Sequence, residues 1–390
     1  MHRRDFLRRA GVATAAASLA ACASERMRPG AAAPSVALAP DRVELAPIRA
    51  EPDRITGVYV CLRPFRAAGP RIEAERLGEK TVVHNYGHGG SGWSLSWGSA
   101  TLALRLAQAT GARELGVIGC GALGLTSALV AQRAGMAVRI YAKELPPDVF
   151  SMRATGLWTP SSRICDAAHA EALAPCWQEM MGISFRSYQG LLGLPGEPVE
   201  WIDGYELSDP PSAAAPSQPV SDEPDYAEFH SHTLPHPVQL PPGSHPFAQA
   251  QVRRYTIMMF NLTNYVRLLM SDYLAAGGKI EVREFHRPGD LLALPERTLI
   301  NATGYGARAL FGDDSVIPVR GQTARLIPQP EVRYALDLPD VSVVPRRDGL
   351  LVQAFGAGGS FNNTDLTPNR AVSEAAVEKV GRLFARMRRS

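Results

Sequence analysis

Two glycine-rich stretches carry the residues best suited to do chemistry. The first is Gly119-Cys120-Gly121-Ala122-Leu123-Gly124, a G-x-G-x-x-G run between the apolar segment Leu115–Ile118 and the helix-like segment Leu123–Ala134. A dinucleotide-binding turn requires that context. Gly119 makes the tight turn off a strand, Gly121 lets backbone approach a pyrophosphate, and Gly124 lets the helix pack close to the sheet. The helix N-terminus then offers unpaired N–H groups and its positive end to the phosphates. About twenty residues further on, where an acid meets the ribose hydroxyls of such ligands, the sequence reads Lys143-Glu144. Glu144 is the acid candidate, and Lys143 either meets a phosphate or is solvated. The motif alone does not separate NAD from FAD.

The second stretch runs His84-Asn85-Tyr86-Gly87-His88-Gly89-Gly90-Ser91-Gly92-Trp93-Ser94-Leu95-Ser96-Trp97-Gly98. Several glycines in succession let backbone press against a flat ring and present N–H and C=O groups at close range. A helix is predicted over Ser99–Ala109, with Leu102, Leu106 and Ala109 on one face. Its N-terminal approach, from about Ser96, points back at the loop and would stabilise negative charge developing on a bound ring.

The elements that must position these loops alternate strand and helix. Thr81–His84 reads as a strand, and Leu115–Ile118, the helix after it and Val138–Tyr141 form a βαβ unit. Leu262–Ala276 is predicted helical, stopped by Gly277-Gly278. Lys279–Arg283 and Thr298–Asn301 read as strands, and Ala371–Met387 as a closing amphipathic helix with Val372, Val380, Leu383 and Phe384 inward. At 390 residues the chain can hold two domains, or one large α/β domain with an insertion. Its 45% hydrophobic and 20% charged residues suit a soluble globular protein, and a net charge of +3 is too small to indicate a nucleic-acid partner.

The second stretch resembles the signature of the D-amino-acid oxidase family, which includes D-aspartate oxidase. Further similar segments are Arg63-Pro64 followed by Arg66, Ala154-Thr155-Gly156-Leu157-Trp158, Asn301-Ala302-Thr303-Gly304 and Arg320-Gly321-Gln322. The resemblance implies FAD as cofactor. It also implies an α/β fold, in which an FAD-binding Rossmann-type domain carries a second, mainly β-sheet substrate domain. Residues 54–390 would form this region, with 81–160 and 279–310 mainly binding FAD and 161–278 and 311–390 mainly forming the substrate domain. The order of the pieces departs from the family, because the arginine and H-N-Y-G-H-G-G segments precede the glycine loop instead of following it. The chain therefore looks like a circular permutant, and the last helix should end close to the strand that starts at about residue 54.

On this resemblance the cofactor would be held by Gly119 to Gly124, Lys143, Glu144, Ser151, Gly156, Leu157, Phe285, Thr303 and Gly304. The second loop would add Gly89, Gly90, Ser91, Gly92, Trp93 and Ser94, with the Ser94 hydroxyl at the flavin O2. Arg63 would grip a substrate carboxylate by a bidentate, charge-assisted pair, and the Gly90 carbonyl would accept from the amino group. Hydride transfer from Cα to flavin would give an imino acid, which hydrolyses to a 2-oxo acid and ammonia while O2 is reduced to H2O2. The partners implied are a D-amino acid or related amine and O2. The alternative reading of Arg63 is a surface ion pair, since the R-P-x-R spacing is short. Two other functions fit the same scaffold: a dehydrogenase using an acceptor other than O2, and a degenerate flavin-binding lipoprotein.

Some positions depart from the family pattern. Leu338–Pro345, where pocket tyrosines are usual, contains none, and Tyr334 is out of register. In Val149-Phe150-Ser151 only Ser151 can offer a hydroxyl, and Arg153 occupies a normally apolar position near the flavin.

The N-terminus reads as an export signal over residues 1–22. Arg3-Arg4-Asp5-Phe6-Leu7 is a twin-arginine run, and Ala10–Ala21 is shorter than the ~20 apolar residues of a transmembrane helix. Leu19-Ala20-Ala21-Cys22 resembles a lipobox that would lipidate Cys22 and attach the protein to a membrane; ordinary cleavage there would free it instead. Residues 23–53 read as a tether, and the protein is expected in the periplasm or cell envelope. Cys165 and Cys176 either pair or remain free thiols. Residues 195–250 read as a Pro-rich surface insertion. Prolines among His230, His232, His236 and His245 prevent a helical ligand pair, so no metal site is expected.

Overall fold

Near-continuous apolar runs place five parallel strands at the heart of a six-stranded sheet. The computed structural model describes residues 43–208, 226, 233–355 and 360–387; the signal segment, Cys22, His230 and His232 lie outside them. Strands are numbered along the chain. The sheet order is β2 (Arg71–Leu77), β3 (Lys80–Tyr86), β10 (Thr298–Asn301), β4 (Glu114–Ile118), β5 (Ala137–Ala142), β9 (Lys279–Val282). From β3 to β9 every neighbour is parallel, and β2 pairs antiparallel with β3 at the edge. Every residue of β3 and β10 is buried, as expected of parallel strands covered on both faces.

Register aligns the carboxyl ends of four strands in one row: His84 beside Asn301, Asn301 beside Ile118, and Ile118 beside Tyr141. Each strand hands over directly to a segment singled out above. Ligands of open α/β sheets bind at such carboxyl ends.

Helix α1 (Gly92–Gln108) begins seven residues before the predicted Ser99. The Gly- and Ser-rich composition of residues 91–99 reads as loop, yet the small residues serve packing. A Cβ on Gly98 would lie 2.1 Å from the Met180 carbonyl of α3 (Ala170–Gln189), and the Gly98 N–H donates to Ser184 Oγ at 2.8 Å. Helix α3 has no counterpart among the predicted elements; Pro175, which lies inside it, masks its periodicity. Helix α2 (Ala122–Arg133) leaves the glycine loop one residue earlier than predicted. α4 (Leu262–Ala275) is tied to β5 where Tyr273 OH donates to the Val138 carbonyl at 3.0 Å.

The second sheet has eight strands. Its order is β1 (Ile55–Phe65), β11 (Ile317–Leu326), β14 (Gly349–Ala354), β13 (Val341–Arg346), β12 (Tyr334–Asp337), β6 (Val199–Ser208), β8 (Gln251–Phe260), β7 (Val238–Gln239). All pairs are antiparallel except β12 with β6. The expected surface insertion 195–250 is therefore corrected in part. Val199, Ile202, Tyr205 and Leu207 are buried along β6, an interior strand whose apolar positions the neighbouring prolines had obscured.

The closing helix α6 (Arg370–Ala385), after the short α5 (Gly306–Phe311), is capped by Asn369, whose side chain accepts the Val372 N–H at 3.2 Å. Val377, Val380 and Leu383 pack in one cluster with Ile48 and Ala50, which precede β1. A Cβ on Gly381 would lie 2.4 Å from the Ala50 carbonyl, so the last helix and the lead-in to the first strand touch.

Candidate active site

The four aligned strand ends open into a cavity of about 530 Å³. Both glycine loops form its walls. The first supplies Gly119, Cys120, Gly121, Ala122 and Leu123, and the second supplies Gly89, Gly90, Gly92 and Trp93. Lys143, Glu144, Ser151, Phe285, Thr303, Gly304 and Arg63 also line it, so the fold brings together segments far apart in sequence.

Close backbone approach explains the glycines. Gly119 has φ +112, and a Cβ there would lie 2.5 Å from the Ala302 carbonyl. The second loop is threaded through a gap: the Gly89 N–H donates to the Pro64 carbonyl at 2.8 Å, and the Gly90 N–H to the Ser162 carbonyl at 3.0 Å. A Cβ on Gly89, at φ +52, would lie 1.8 Å from the Arg163 carbonyl.

Helices α1 and α2 both start in the cavity wall, and neither has a side-chain cap. Among the described residues, the one side-chain acceptor for their first-turn N–H groups is Ser151 Oγ, which takes the Ala122 N–H at 3.2 Å. Trp93 Nε1 donates to the Ser151 carbonyl at 2.8 Å, so Ser151, which also accepts the Ala122 N–H, links the second loop to the start of α2. Two uncapped helix ends, one behind a G-x-G-x-x-G turn and one behind a run of glycines, fit the diphosphate and the electron-rich ring edge of FAD.

At the outer end, Lys143 lies 4.0 Å from Glu144 and 3.8 Å from Glu284, and the Arg283 guanidinium sits 5.2 Å over the Phe285 ring. These residues suit an adenosine. Burial pushes the Cys120 thiol up to about 12, so it is a neutral wall.

Five residues assigned from sequence do not face the cavity among its lining residues. A Cβ on Gly124 would lie 2.1 Å from the Gly119 carbonyl, so this glycine closes the turn on the helix. Ser91 Oγ donates to the Thr159 and Ser162 carbonyls at 3.1 and 2.9 Å. Ser94 Oγ accepts the Thr159 N–H at 2.9 Å. Gly156, at φ +89, bonds through its carbonyl to the Phe260 N–H at 2.6 Å, and Leu157 bridges to Met259 on β8. Arg153, expected near the flavin, instead donates to the Val60 carbonyl at 2.7 Å and stacks 5.2 Å over Phe150. Cys165 and Cys176 are free.

Of the R-P-x-R pair, Arg63 faces the cavity while Arg66 turns away to Ser315 at 2.9 Å and Asp313 at 3.5 Å. Three cavity residues carry a permanent cation. Lys143 and Arg283 lie within 4.0 Å of carboxylates, whereas Arg63 has no ion pair among the described residues. Its one hydrogen bond, to the Arg320 carbonyl, is 3.4 Å long. Among the described residues, therefore, no surface ion pair accounts for Arg63.

Several walls of the cavity carry little local sequence signal. Tyr86, Tyr141 and Tyr305 line the cavity although Leu338–Pro345 offers no tyrosine. Tyr86 OH donates to Asp313 at 2.7 Å and Tyr141 OH to Glu296 at 3.1 Å, so both hydroxyls are engaged in structure. Tyr334 lies in the other apolar cluster and donates to the Ala46 carbonyl at 2.7 Å. His88 is fully buried, and desolvation pushes it down to about 3; its Nε2 meets Ser99 Oγ at 2.7 Å. The signal for such residues was polar types inside otherwise buried runs.

The profile of the family described as "FAD dependent oxidoreductase" (DAO) matches residues 114–389. Among curated proteins, the chain is 26% identical to a D-amino-acid oxidase of Rubrobacter xylanophilus, over 70% of this chain and 77% of the relative. It is 30% identical to a D-amino-acid oxidase of Streptomyces coelicolor over 54% of this chain and 58% of that one. A D-amino-acid oxidase of Dictyostelium discoideum is 24% identical over 69% and 72%.

Proposed function

The chain belongs to the DAO family of FAD-dependent oxidoreductases, and we propose that it oxidatively deaminates D-amino acids to 2-oxo acids. The observation that carries this reading is Arg63, a cavity cation with no carboxylate partner among the described residues. A planar guanidinium in that state is a receptor for a carboxylate, which it binds through two parallel N–H···O bonds.

Bound FAD supplies the two-electron acceptor for the reaction. The protein's part is orientation. Arg63 holds the substrate carboxylate, and the Gly90 carbonyl accepts from the amino group. Among the described residues no backbone N–H is bonded to that carbonyl. Two fixed points leave the Cα hydrogen one direction to leave, an orientational gain that bimolecular encounter lacks. Burial pushes His88 down to about 3, and its Nε2 is bonded to Ser99, so it is too weak a proton acceptor to serve as the general base. A neutral substrate amine makes one unnecessary. The imino product hydrolyses in water, and O2 serves as the final acceptor.

The test is product balance. One 2-oxo acid, one ammonia and one H2O2 per D-amino acid consumed is expected; turnover that needs an added acceptor and yields no peroxide would remove the oxidase reading.

The same reading includes a circular permutation. Its supports are the contact between Gly381 and Ala50 and a family match that begins at Glu114, the first residue of β4, while the earlier loop shares the same cavity. It also includes export by the twin-arginine route with lipid attachment at Cys22, supported by Arg3-Arg4 and Leu19–Cys22. A Cys22→Ser variant found soluble in the periplasm, beside a membrane-bound parent, is the expected result.

A further inference from the structure

A hydrogen-bonded chain, solvent-exposed at Glu75 and buried at His84 and Asn301, crosses from the sheet edge to the cofactor cavity. His84 of β3 and Asn301, the last residue of β10, are register partners, and both are 0% exposed. Asn301 Oδ1 accepts from the Thr303 N–H at 3.3 Å and from Thr303 Oγ1 at 2.7 Å. With its oxygen engaged there, Asn301 turns Nδ2 toward His84 Nδ1, 3.1 Å away. An amide nitrogen only donates, so Nδ1 must be bare. The imidazole proton therefore sits on Nε2 and points at Glu75 Oε2, 3.0 Å away on β2. Each member's role is fixed by the next.

The cavity end of this chain sets a turn. The Asn301 side chain caps the backbone two residues on, which carries the chain off β10. That turn brings Thr303 and Gly304 into the cavity wall and seats the Ala302 carbonyl against Gly119 of the pyrophosphate loop. We propose that His84 is a positioning residue for FAD: locked in one tautomer between Glu75 and Asn301, it holds the Asn301–Gly304 turn in the shape that receives the cofactor.

The arrangement also makes cofactor affinity sensitive to protons. A proton on Nδ1 would face the Asn301 amide N–H, donor against donor, and the amide would have to turn and release Thr303. The charged groups around the imidazole are Glu75, Glu73 and Arg71, all on β2; β10 and α5 present the uncharged Asn301 and Phe311, and Tyr86 packs against it edge-on. Desolvation holds His84 below its ordinary value against the pull of Glu75, so the relay is intact at neutral pH and opens on the acid side.

The experiment is FAD titration of deflavinated protein between pH 5.5 and 8, followed by flavin fluorescence, for the parent, His84→Asn and His84→Leu. Asn keeps an acceptor at the Nδ1 position but cannot take a proton. The parent should keep its affinity from pH 8 to about 6.5 and bind more weakly only at the acid end of the range. His84→Asn should bind within about threefold of the parent at pH 8 and lose the pH dependence, while His84→Leu should lose about tenfold at every pH, as for one unsatisfied buried amide. Equal affinity of His84→Leu and the parent, or a pH dependence that persists in His84→Asn, would overturn the proposal. If the Leu variant does not fold, the pH profile of the Asn variant decides alone.

Discussion

The guanidinium of Arg63 on β1 occupies the space that a side chain on Gly321 of β11 would need. A Cβ at Gly321 would lie 2.2 Å from Arg63 Nη1 and 2.5 Å from Cζ. The glycine of the Arg320-Gly321-Gln322 segment is thus a seat for the cation that faces the cavity. Because the atom it meets is the end of a flexible side chain, Gly321→Ala should shift the guanidinium without unfolding the sheet. A KM for the D-amino acid raised about tenfold or more, with flavin absorbance unchanged, is the expected outcome in steady-state assays. Unaltered KM would mean that Arg63 does not work from that seat.

Ser151 Oγ is the one side-chain acceptor among the described residues at the start of α2, and it lies 3.2 Å from where a Cβ on Gly121 would stand. Ser151→Ala should weaken FAD binding by roughly threefold to tenfold, the worth of a single net hydrogen bond. Equilibrium dialysis of the flavin checks this.

The crossing of α1 and α3 at Gly98 leaves no space for a methyl group, since the obstructing atom is the Met180 backbone carbonyl at 2.1 Å. Gly98→Ala should cost ~1–3 kcal/mol of stability through overpacking, even though alanine is the better helix former. Denaturant unfolding of the variant reads this directly, and a stabilised variant would contradict the packing.

Stability should fall in mild acid. His88 titrates at about 3 in the folded protein against an ordinary 6.5, so the unfolded chain binds its proton first as pH drops. The neutral buried imidazole therefore contributes stability above pH 6.5, and this is lost progressively below it, by roughly 1.4 kcal/mol per pH unit for one such group. Urea unfolding at pH 7 and pH 5 should show the loss, and His88→Gln should show less of it.

If the chain is a permutant, its other order should also fold. Joining residue 387 to residue 43 and opening the chain between Gln108 and Glu114, outside α1 and β4, preserves every strand of both sheets. The rearranged protein should be soluble and yellow; an insoluble product with an otherwise sound linker would count against the permutation.

The parts of the fold legible in the sequence were those where local chemistry and tertiary role agree. Gly119–Gly124 announced itself because turn, helix start and phosphate approach each demand glycine there. Thr298–Asn301 was readable because a fully buried strand is an apolar run. Long-range packing hid the rest. The seven residues Gly92–Gly98 look like a loop until α3 is seen to need small residues there. Prolines around β6 disguised an interior strand, and Pro175 hid α3. Ser94 and Arg153 were placed by family analogy, but their bonds to Thr159 and Val60 come from contacts that no local pattern encodes.

Anaerobic mixing of the flavin-loaded protein with a panel of D-amino acids and their L-enantiomers tests the central claim most directly. Bleaching of the flavin absorbance by one or more D-amino acids, absent with the L-forms and lost in Arg63→Ala, is the predicted result. A flavin that no D-amino acid reduces, or one bleached equally well without the Arg63 guanidinium, would contradict the account.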